Sequence, residues 1–235
     1  MKKNIGLSVF VPVYNEEKII EANLRKLESK VKEITNNYDI TIVDDSSTDN
    51  TSKISRKIAR GKIKYLRFNN GPSRRENLAE AMKTGKKEVI VFTDIDLSAD
   101  LKHLKELIEG MKKGDISTGS RYMGIGAKRT IFRKGMSIVY NTILRIMFNS
   151  KVRDHQCGFK AYKNKVIKGL IDDAGYDSKF IRGWFWDAEI LIRAQKKGYK
   201  INEFPVEWER GKDSSFQLKR ELRMIKYWFK LKQKL

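Results

Sequence analysis

Short apolar runs alternate with amphipathic stretches along the first half of the chain. Between Glu17 and Val31, apolar residues such as Ile20, Leu24 and Leu27 recur every three or four positions, which predicts a helix. Strands are predicted at Leu7–Val13, Tyr38–Asp45, Ile63–Phe68, Val89–Thr93 and Asp115–Ser120. The other helices predicted between them run from a cap at Ser46–Thr48 to about Ala59, over Ser73–Thr84, and through Leu101, Leu104, Ile108 and Met111.

This alternation predicts an α/β fold, in which a mainly parallel sheet is covered by helices on both faces. In such sheets, ligands bind beyond the carboxyl ends of the strands. Three polar clusters fall at such ends, namely Asn15-Glu16, Asp44-Asp45 and Asp94-Asp96. These clusters are therefore the first candidates for a ligand-binding site.

The second half of the chain has a different pattern, with longer and more basic helices. Helices are predicted over Thr130–Ser150, over Asp187–Lys197 with Gly198 as C-terminal cap, and over residues 215–235. The segment Asp154–Tyr162 predicts a turn into a short strand, and Tyr199–Trp208 predicts another strand. Because no linker, repeat or low-complexity segment separates the halves, we expect one domain.

Composition places the chain among globular proteins that fold without disulfide bonds. Hydrophobic residues make up 40% of the 235 residues, which is enough for a sizeable core. The one cysteine, Cys157, excludes a disulfide framework and a cysteine-based zinc cluster, and it suits a reducing compartment. The basic start predicts a first strand rather than a signal peptide. No run approaches the roughly 20 apolar residues of a membrane-spanning helix.

The chain is strongly basic, with 50 Lys and Arg residues against 29 Asp and Glu and a formal net charge of +21. This charge fits a lysine-rich soluble surface or an anionic partner: nucleic acid, nucleotide phosphates or an anionic membrane. A nucleic-acid-binding protein is the distant alternative, because no helix-turn-helix, zinc-finger or RNA-recognition signature occurs. P-loop kinases and dinucleotide-binding oxidoreductases are disfavoured, since their glycine-rich motifs are absent from the sequence.

Two acids at the end of the fourth predicted strand are candidates for binding a metal ion. Asp94 and Asp96 point the same way if the strand geometry continues, and two carboxylates held together need a cation. Oxygen ligands at a nucleotide site suit Mg²⁺ or Mn²⁺, with diphosphate oxygens completing the shell. The alternative is that Asp96 caps the following helix and Asp94 is incidental. Asp100 is a second candidate for that cap.

The motifs VPVYNEE, VDDSSTD and DIDLS, each after a predicted strand, resemble those of the family 2 glycosyltransferases. These enzymes have the GT-A fold, a Rossmann-like α/β sheet, and use nucleotide-sugar donors. The later segments GSRY, RDHQCGFKAY, FWDAEILIRA and EFPVEW resemble the polyprenyl-phosphate branch, above all dolichyl-phosphate β-glucosyltransferases and then dolichyl-phosphate mannose synthases. The resemblance implies one GT-A domain over residues 1–235, with a nucleotide-sugar half (1–122), an acceptor half (123–214) and a basic amphipathic helix (215–235).

The resemblance also implies roles for individual residues. Those implied to bind the nucleotide are Pro12, Tyr14, Asn15, Glu16, Asp44, Asp45, Gly71 and Asp94. Asp94 and Asp96 are implied to hold the metal. Those implied to hold acceptor or donor phosphates are Arg121, Arg133, Lys134, Lys212 and Ser214. Those implied to act in catalysis are Asp96, Arg121, and Asp187 with Glu189 beside the sugar.

Two segments depart from the family pattern. The turn after the third strand retains Gly71, but Arg74 and Arg75 intrude into it, either as exposed residues or as ligands of the diphosphate. The loop RGKDSSF retains Ser214 of a Ser-Lys pair, whereas its lysine is displaced to Lys212 or replaced by arginine.

The implied reaction is an inverting transfer of glucose or mannose from UDP-glucose or GDP-mannose. A sugar hydroxyl as acceptor requires a general base, for which Asp187 or Glu189 are candidates. A polyprenyl or dolichyl phosphate is already ionised and requires only cations such as Arg121 and Arg133. The cations favour the lipid phosphate; transfer to a hydroxyl in glycan or polysaccharide synthesis is the alternative.

A lipid acceptor predicts a peripheral protein at the cytoplasmic face of the membrane, either alone or with a membrane-protein partner. Basic amphipathic helices that carry aromatic residues lie in the membrane interface. Residues 215–235, with Trp228 and Phe229, are the favoured membrane-binding helix. The alternative is that the apolar residues of this helix belong to the core.

Overall fold

The computed structural model describes residues 5–72, 75–123, 127–128, 131–176, 182–183, 185–209 and 218–235; the side chains of 127–128, 131–133 and 218–224 lie outside this description. The strands within these residues are β1 (Leu7–Val13), β2 (Tyr38–Asp45), β3 (Ile63–Phe68), β4 (Val89–Thr93), β5 (Ile116–Ser120), β6 (Ala127–Lys128), β7 (Phe159–Lys163), β8 (Ile201–Pro205) and β9 (Trp208–Glu209). The helices are α1 (Ile20–Ile34), α2 (Thr51–Ile58), α3 (Arg75–Lys83), α4 (Leu104–Gly110), α5 (Ile131–Phe148), α6 (Asn164–Ala174), α7 (Phe185–Lys196) and α8 (Leu218–Lys234).

Seven of the described strands form one sheet in the order β3-β2-β1-β4-β7-β5-β8. β1 pairs parallel with β2 and β4, β2 with β3, and β5 with β8, so the predicted α/β fold with a mainly parallel sheet is confirmed. β7 runs antiparallel between β4 and β5. The carboxyl ends of β1, β2 and β4 therefore lie side by side. The loop before β7 reaches the same edge, because Thr93 pairs with Phe159.

Apolar side chains of the central strands alternate between two covered faces. On one face, residues such as Val91 pack with Leu24 of α1 and Leu107 of α4. On the other face, Phe92 packs with residues of α3, α6 and α7, among them Ile190. Burial on both faces explains why these strands are continuous apolar runs in the sequence. Each fully buried side chain of this size contributes about 1.5–3 kcal/mol.

Two predicted elements differ in their bounds. α2 begins at Thr51 rather than directly after Ser46–Thr48, because the Asp49 carboxylate accepts the Thr51 amide hydrogen at 2.9 Å. The strand predicted over Tyr199–Trp208 divides in two: β8 ends at Pro205, and β9 pairs with β6 in a separate two-stranded sheet. This division carries the chain back toward the carboxyl edge of the main sheet, where Ala99 bridges to Trp208.

α6 was missing from the prediction, although its apolar pattern is regular. Val166, Ile167, Leu170 and Ile171 recur at helical spacing and are all buried against the α3 and α7 side of the sheet. A helix there also satisfies the topology. It covers β4 and β7, which would otherwise expose their apolar side chains.

The two basic amphipathic helices of the C-terminal half pack against each other and against α7. In α8, Tyr227, Trp228 and Leu231 are buried in one cluster with α5 residues, and the rings of Trp228 and Tyr140 stand 5.4 Å apart, edge to face. The described part of α8 therefore contributes these three residues to the core, whereas Phe229 is 61% exposed. This is the alternative that the sequence left open for residues 215–235.

α5 has an apolar stripe that faces solvent. We call it the α5 stripe; its members and their exposed fractions are Ile138 (44%), Val139 (58%), Ile143 (43%) and Ile146 (79%). Within the described ranges, no helix combines the length and apolar content needed to cross a membrane. Among the described side chains of the two basic helices, more large apolar residues are exposed on α5 than on α8 and the residue that follows it, where they are Phe229 and Leu235.

Candidate active site

Unusual backbone conformations mark the carboxyl edge of the sheet. Asn15, Ser46 and Leu97 have φ angles of 56°, 72° and 50°, and they follow β1, β2 and β4 in turn. Residues other than glycine rarely adopt this left-handed backbone conformation, which costs about 1–3 kcal/mol and occurs preferentially at functional sites. Asn15 belongs to one of the three polar clusters predicted from the sequence, and Ser46 and Leu97 directly follow the other two.

Asn15 joins the loops that follow β1 and β2. Its Oδ1 accepts the hydrogen of the Thr48 backbone amide at 2.7 Å, and its own backbone amide donates to Ser47 Oγ at 3.1 Å. Two loops predicted to bind the nucleotide are therefore held together by a side chain that was predicted to bind the nucleotide itself.

The other β1 residues predicted for the nucleotide lie along the same edge. Pro12 is half-buried within β1, while the Tyr14 side chain is 40% exposed. The Glu16 amide donates to Thr51 Oγ1 at 2.7 Å, which attaches the start of the next segment to α2. Tyr14 thus presents its ring to solvent at the edge where the strands end.

Asp44 and Asp45 project to opposite faces of β2, because successive strand residues alternate. Asp44 is fully buried and accepts hydrogen bonds from Tyr65 Oη at 2.6 Å and Arg67 Nη1 at 2.9 Å. Burial alone would raise the pKa of Asp44, but hydrogen bonds from Tyr65 and Ser47, together with the Arg67 charge, bring it below its usual value. Asp45 is partly exposed on the α3 side, where it accepts from Asn77 Nδ2 at 2.6 Å.

Gly71 lies against Asp45. A Cβ atom at this glycine would overlap both the backbone and the carboxylate of Asp45. The Gly71 amide donates to Ser46 Oγ at 2.9 Å, which fixes the close approach. The glycine retained in this turn is therefore required sterically by the β2 loop.

Asp94 and Asp96 follow β4, as the pattern predicted. Asp96 accepts from the Ser98 amide at 3.0 Å and from Ser98 Oγ at 2.5 Å. Asp94 is half-buried and packs so closely on Gly158 that a Cβ there would overlap its carboxylate. Asp96 does not cap the helical turn that follows. Asp100 caps this 3₁₀ turn, Leu101–His103, which directly precedes α4, because its carboxylate accepts the Lys102 amide hydrogen at 2.9 Å.

The carboxylate of Asp94 lies in a region of concentrated negative charge. Its Oδ1 is 3.4 Å from Arg75 Nη2. Burial raises the pKa of Asp94 to about 6; Arg75 opposes this rise, whereas repulsion from Asp96 and Asp187 adds to it. An additional cation at Asp94 would relieve this repulsion.

Asp187 of α7 completes the cluster. Its oxygens lie 3.3 Å from Arg75 Nε and 3.4 Å from the ammonium of Lys160. Lys160 is fully buried, also donates to the Cys157 carbonyl, and stands over the Phe92 ring. Sequence reasoning did not single out Lys160. The signal was its alternation in β7, which puts it on the same face as the α7 helix.

Glu189 faces away from Asp187, although the two were predicted to lie together beside the sugar. Residues two apart on a helix do not share a face. Glu189 is fully buried and accepts from Arg193 Nε at 2.8 Å, Tyr227 Oη at 3.0 Å and Arg182 Nη1 at 3.3 Å. It therefore links α7 to α8 inside the protein.

Arg121, predicted to hold a phosphate, forms a closed pair with Asp154. Its Nε and Nη2 donate to the two carboxylate oxygens at 2.6 and 2.7 Å, and its guanidinium lies 5.7 Å from the Trp208 ring. Burial alone would lower the pKa of Arg121, but the charge of Asp154 raises it overall. In Asp154, burial acts to raise the pKa, and Arg121 more than reverses this.

The remaining residues predicted to hold phosphate fall mostly outside the described part of the chain. Lys134 is described and is exposed on α5. The side chain of Arg133, and the loop with Lys212 and Ser214, lie outside the described residues, as does Arg74.

The donor atoms at the carboxyl edge fit a divalent cation that is completed by a substrate. Within the described residues, no group of three or more His, Cys, Asp or Glu side chains is arranged to hold a metal ion by itself. Asp94 and Asp96 supply carboxylate oxygens, and Mg²⁺ is often bound through one or two carboxylates together with substrate phosphates. The crowded charge at Asp94 supports the same fit.

Comparison with known proteins points to glycosyltransferases throughout. A family model described as Glycosyl transferase family 2 matches residues 8–171. Glycosyltransferase AglD of Haloferax volcanii is 31% identical over 239 residues, which cover 97% of this chain and 38% of AglD. Dolichyl-phosphate beta-glucosyltransferase of Saccharomyces cerevisiae is 27% identical over 240 residues, covering 92% of this chain and 70% of that protein. The chain thus spans well under half the length of AglD.

Solved structures share the fold. Glucosyl-3-phosphoglycerate synthase from Mycobacterium tuberculosis, in complex with Mn²⁺, UDP-glucose and phosphoglyceric acid, has a TM-score of 0.66 at 12% identity and covers 97% of this chain and 80% of that one. TarS 1-349 of S. aureus has a TM-score of 0.55 at 20% identity, with coverage of 85% and 58%.

Proposed function

This chain belongs to the family 2 glycosyltransferases, and we propose that it transfers glucose from UDP-glucose to a polyprenyl or dolichyl phosphate, with inversion at the anomeric carbon. Relatives named dolichyl-phosphate beta-glucosyltransferase match most of its length. The observation that carries the proposal is the cluster of carboxylates and cations at the carboxyl edge: Asp94, Asp96 and Asp187 with Arg75 and Lys160. Mannose from GDP-mannose is the other donor to test.

On the donor side, we assign Asp45, Tyr14 and Gly71 to the nucleotide pocket. Their support is position: all three are at the carboxyl edge, and Asp45 faces the same side of the sheet as α3. We leave Asp44 out of the pocket, because Tyr65 and Arg67 donate to its Oδ2 and the Ser47 amide donates to its Oδ1. Asn15 positions the two loops around the pocket.

We assign Asp94 and Asp96 to a divalent cation, Mg²⁺ or Mn²⁺. When bound, such a cation neutralises charge that develops on the departing diphosphate. Ser98 orients the Asp96 carboxylate through two hydrogen bonds, and Gly158 leaves space for that of Asp94. The side chains of this chain thus hold the oxygens in fixed directions before a ligand arrives.

The acceptor side favours a group that is already ionised. A general base needs an oxygen free to take a proton, but each oxygen of Asp187 is paired with a cation and Glu189 accepts from three donors. A lipid phosphate needs no base, so this arrangement suits it better than a sugar hydroxyl. The basic residues of the 123–214 half, which we propose as the acceptor half, would hold that phosphate.

A lipid acceptor requires contact with a membrane surface, and the α5 stripe is the surface we propose for it. The stripe combines exposed apolar side chains with the exposed cations Lys134 and Arg145 of the same helix. Interfacial helices bury apolar side chains beneath the headgroups while their cations attract anionic lipids. We propose the cytoplasmic face of the membrane, which also suits the unpaired thiol of Cys157.

The test of function is transfer of labelled glucose from UDP-glucose to polyprenyl phosphate in the presence of Mn²⁺, with GDP-mannose assayed in parallel. We expect the label to extract into organic solvent. Label that remains water-soluble, or that transfers only to a sugar acceptor, contradicts the lipid acceptor.

A variant pair tests the metal ligands in the same assay. Asp96→Ala is expected to lower the rate at least about a hundredfold, because it removes charge stabilisation at the leaving group. Asp100→Ala is the matched control: it removes a nearby exposed carboxylate whose role is a helix cap, so transfer should be retained. Equal losses in both variants would contradict the assignment.

Vesicle flotation tests the α5 stripe. Ile146→Glu should reduce the fraction of protein that floats with phosphatidylglycerol vesicles, since it places a charge on the most exposed member of the stripe. Phe229→Glu, on the exposed side of α8, is the comparison. If only Phe229→Glu prevents flotation, the terminal helix is the membrane surface and the α5 stripe is not.

A further inference from the structure

The guanidinium of Arg75 lies between the carboxylates of Asp94 and Asp187, where repulsion between the acids calls for a cation. Arg75 is the first residue of α3, and its side chain is 15% exposed. The guanidinium is 3.4 Å from Asp94 Oδ1 and 3.3 Å from Asp187 Oδ2, and it lies 5.0 Å from the Phe92 ring centroid. One side chain therefore bridges an acid at the end of β4 and an acid on α7.

Arg75 is held less firmly than the other buried cations. Within the described part of the chain, its buried Nε makes no hydrogen bond, although Asp187 Oδ2 is 3.3 Å away, and its guanidinium donates to Asp94 at a long 3.4 Å. Arg121, by contrast, donates twice to Asp154 at 2.6 and 2.7 Å. Arg75 thus supplies positive charge to the site without the close hydrogen bonds that would fix it there.

The pKa of Arg75 also reflects the negative charge around it. Burial alone would lower the pKa of Arg75, but Asp187, Asp94 and then Asp45 raise it. Three carboxylates that face the donor side of the sheet therefore act on a single guanidinium. Lys160 supplies a second positive charge, but its ammonium donates to the Cys157 carbonyl and forms an ion pair with Asp187.

We propose that Arg75 is the resident counter-ion of the unliganded donor site, that a divalent cation must displace it from Asp94, and that the released guanidinium then binds the donor diphosphate. The inference rests on the cation site proposed above and adds a residue to it. Arg75 and the cation would compete for one carboxylate. Arg75 and the nucleotide would cooperate, because arginine pairs well with phosphate oxygens.

These two couplings have opposite signs, which a purely structural role of Arg75 would not produce. In Arg75→Gln, Asp94 loses its competing cation, so Mn²⁺ alone should bind about tenfold more tightly, within the usual range of coupling between sites. UDP should bind about tenfold more weakly to the same variant at saturating Mn²⁺, since the diphosphate loses a donor. Arg75→Lys, which keeps the charge without the planar fork, should lie between wild type and Arg75→Gln in both measurements.

The experiment titrates Mn²⁺ into the full chain and follows free Mn²⁺ by electron paramagnetic resonance, without nucleotide. UDP is then titrated by calorimetry at saturating Mn²⁺. Arg67→Gln is the matched control: it removes an arginine from the same edge, but its partner Asp44 is not assigned to the cation. Its Mn²⁺ affinity should stay within about twofold of wild type. Melting curves verify that each variant is folded, and Arg75→Lys serves if Arg75→Gln is not.

Mn²⁺ affinity that is unchanged or lower in Arg75→Gln overturns the competition, and UDP affinity that is unchanged overturns the role at the diphosphate. If neither wild type nor Arg75→Gln binds Mn²⁺ at millimolar concentration without nucleotide, the competition fails; if neither binds it with UDP present, the cation site fails as well. If both affinities shift as expected while no sugar reaches a lipid phosphate, the inference stands and the proposed acceptor is wrong.

Discussion

Two arginine–carboxylate pairs near the loop that leads into β7 differ in hydrogen bonding. We call a pair closed where short hydrogen bonds within it satisfy both carboxylate oxygens, and open where they do not. Arg121 and Asp154 meet through two hydrogen bonds of 2.6 and 2.7 Å, and both side chains are nearly or fully buried. Arg75 meets Asp94 at 3.4 Å, and 41% of the Asp94 side chain is exposed. The first pair satisfies its own charges, whereas the second leaves charge available for a ligand. For these two arginine pairs, the completeness of hydrogen bonding, rather than the presence of charge, distinguishes the structural pair from the candidate functional one.

The largest expected effect tests this difference directly. Asp154→Ala should lower the free energy of unfolding by about 3–5 kcal/mol, because it leaves the Arg121 charge buried without a partner. Asp94→Ala should lower it by less than about 1 kcal/mol, because the half-exposed Asp94 side chain makes only long contacts with Arg75. Urea denaturation of both variants measures the two values. A loss at Asp94 as large as the loss at Asp154 would remove the distinction between the closed and open pairs.

A second effect, of intermediate size, tests whether the buried surroundings of the Arg121–Asp154 pair, which we call the closed region, include His155. His155 is fully buried beside Asp154, with Ser150 Oγ and Asn141 Oδ1 at its ring nitrogens, and burial lowers its pKa from 6.5 to about 4. A histidine with a lowered pKa stabilises the fold above pH 6.5, and this stability is lost as the pH falls toward 4. At pH 5 the loss that His155 alone contributes, relative to pH 7, is about 2 kcal/mol. The raised pKa of Asp94 acts with the opposite sign, because its protonation near pH 5 favours the folded state. The contribution of His155 is therefore the difference between wild type and His155→Gln in their pH dependence.

Urea denaturation at pH 7 and pH 5 measures this loss. His155→Gln should reduce the difference between the two pH values, because glutamine does not titrate. The chain has one other histidine, His103, and His103→Gln should leave the difference intact. If His155→Gln retains the full pH dependence, other groups are responsible and the closed region does not include this ring.

The smallest expected effect concerns the second closed acid, Glu189. Tyr227→Phe removes one of its three donors and should lower the free energy of unfolding by about 1.5 kcal/mol, the low end for a hydrogen bond to a charged group. Arg182 and Arg193 would still satisfy the carboxylate. Transfer activity should be retained. Thermal unfolding together with the transfer assay measures both quantities, and a selective loss of transfer would return Glu189 to the active site.

The sequence predicted the elements of the fold because each is encoded locally. The apolar runs and the acids after them identified the strands and their carboxyl edge, and Asp94 and Asp96 follow β4 as expected. The periodicity that would have identified α6 was equally present and was overlooked. The same applies to the helical spacing that separates Asp187 from Glu189, since residues two apart cannot face one ligand.

The pairing of distant charges could not be predicted in this way. Arg121 and Asp154 are 33 residues apart, and nothing local distinguishes their closed pair from a phosphate site. Arg75 was recognised as a departure from the family pattern, but its contact with Asp187 depends on how α3 and α7 pack. Predicting whether an acid is open or closed therefore requires the tertiary structure.

The antiparallel direction of β7 restricts which length changes this protein can accept. β7 is paired on both sides, so its register with β4 determines that Gly158 meets Asp94 and that Lys160 meets Asp187. Deleting or inserting one residue in the strand would exchange its two faces and turn the lysine into the opposite apolar layer. Natural variation in length is therefore expected in the surface connections around α6. It is not expected in residues 158–162, where the direction of each side chain depends on the register with the neighbouring strands.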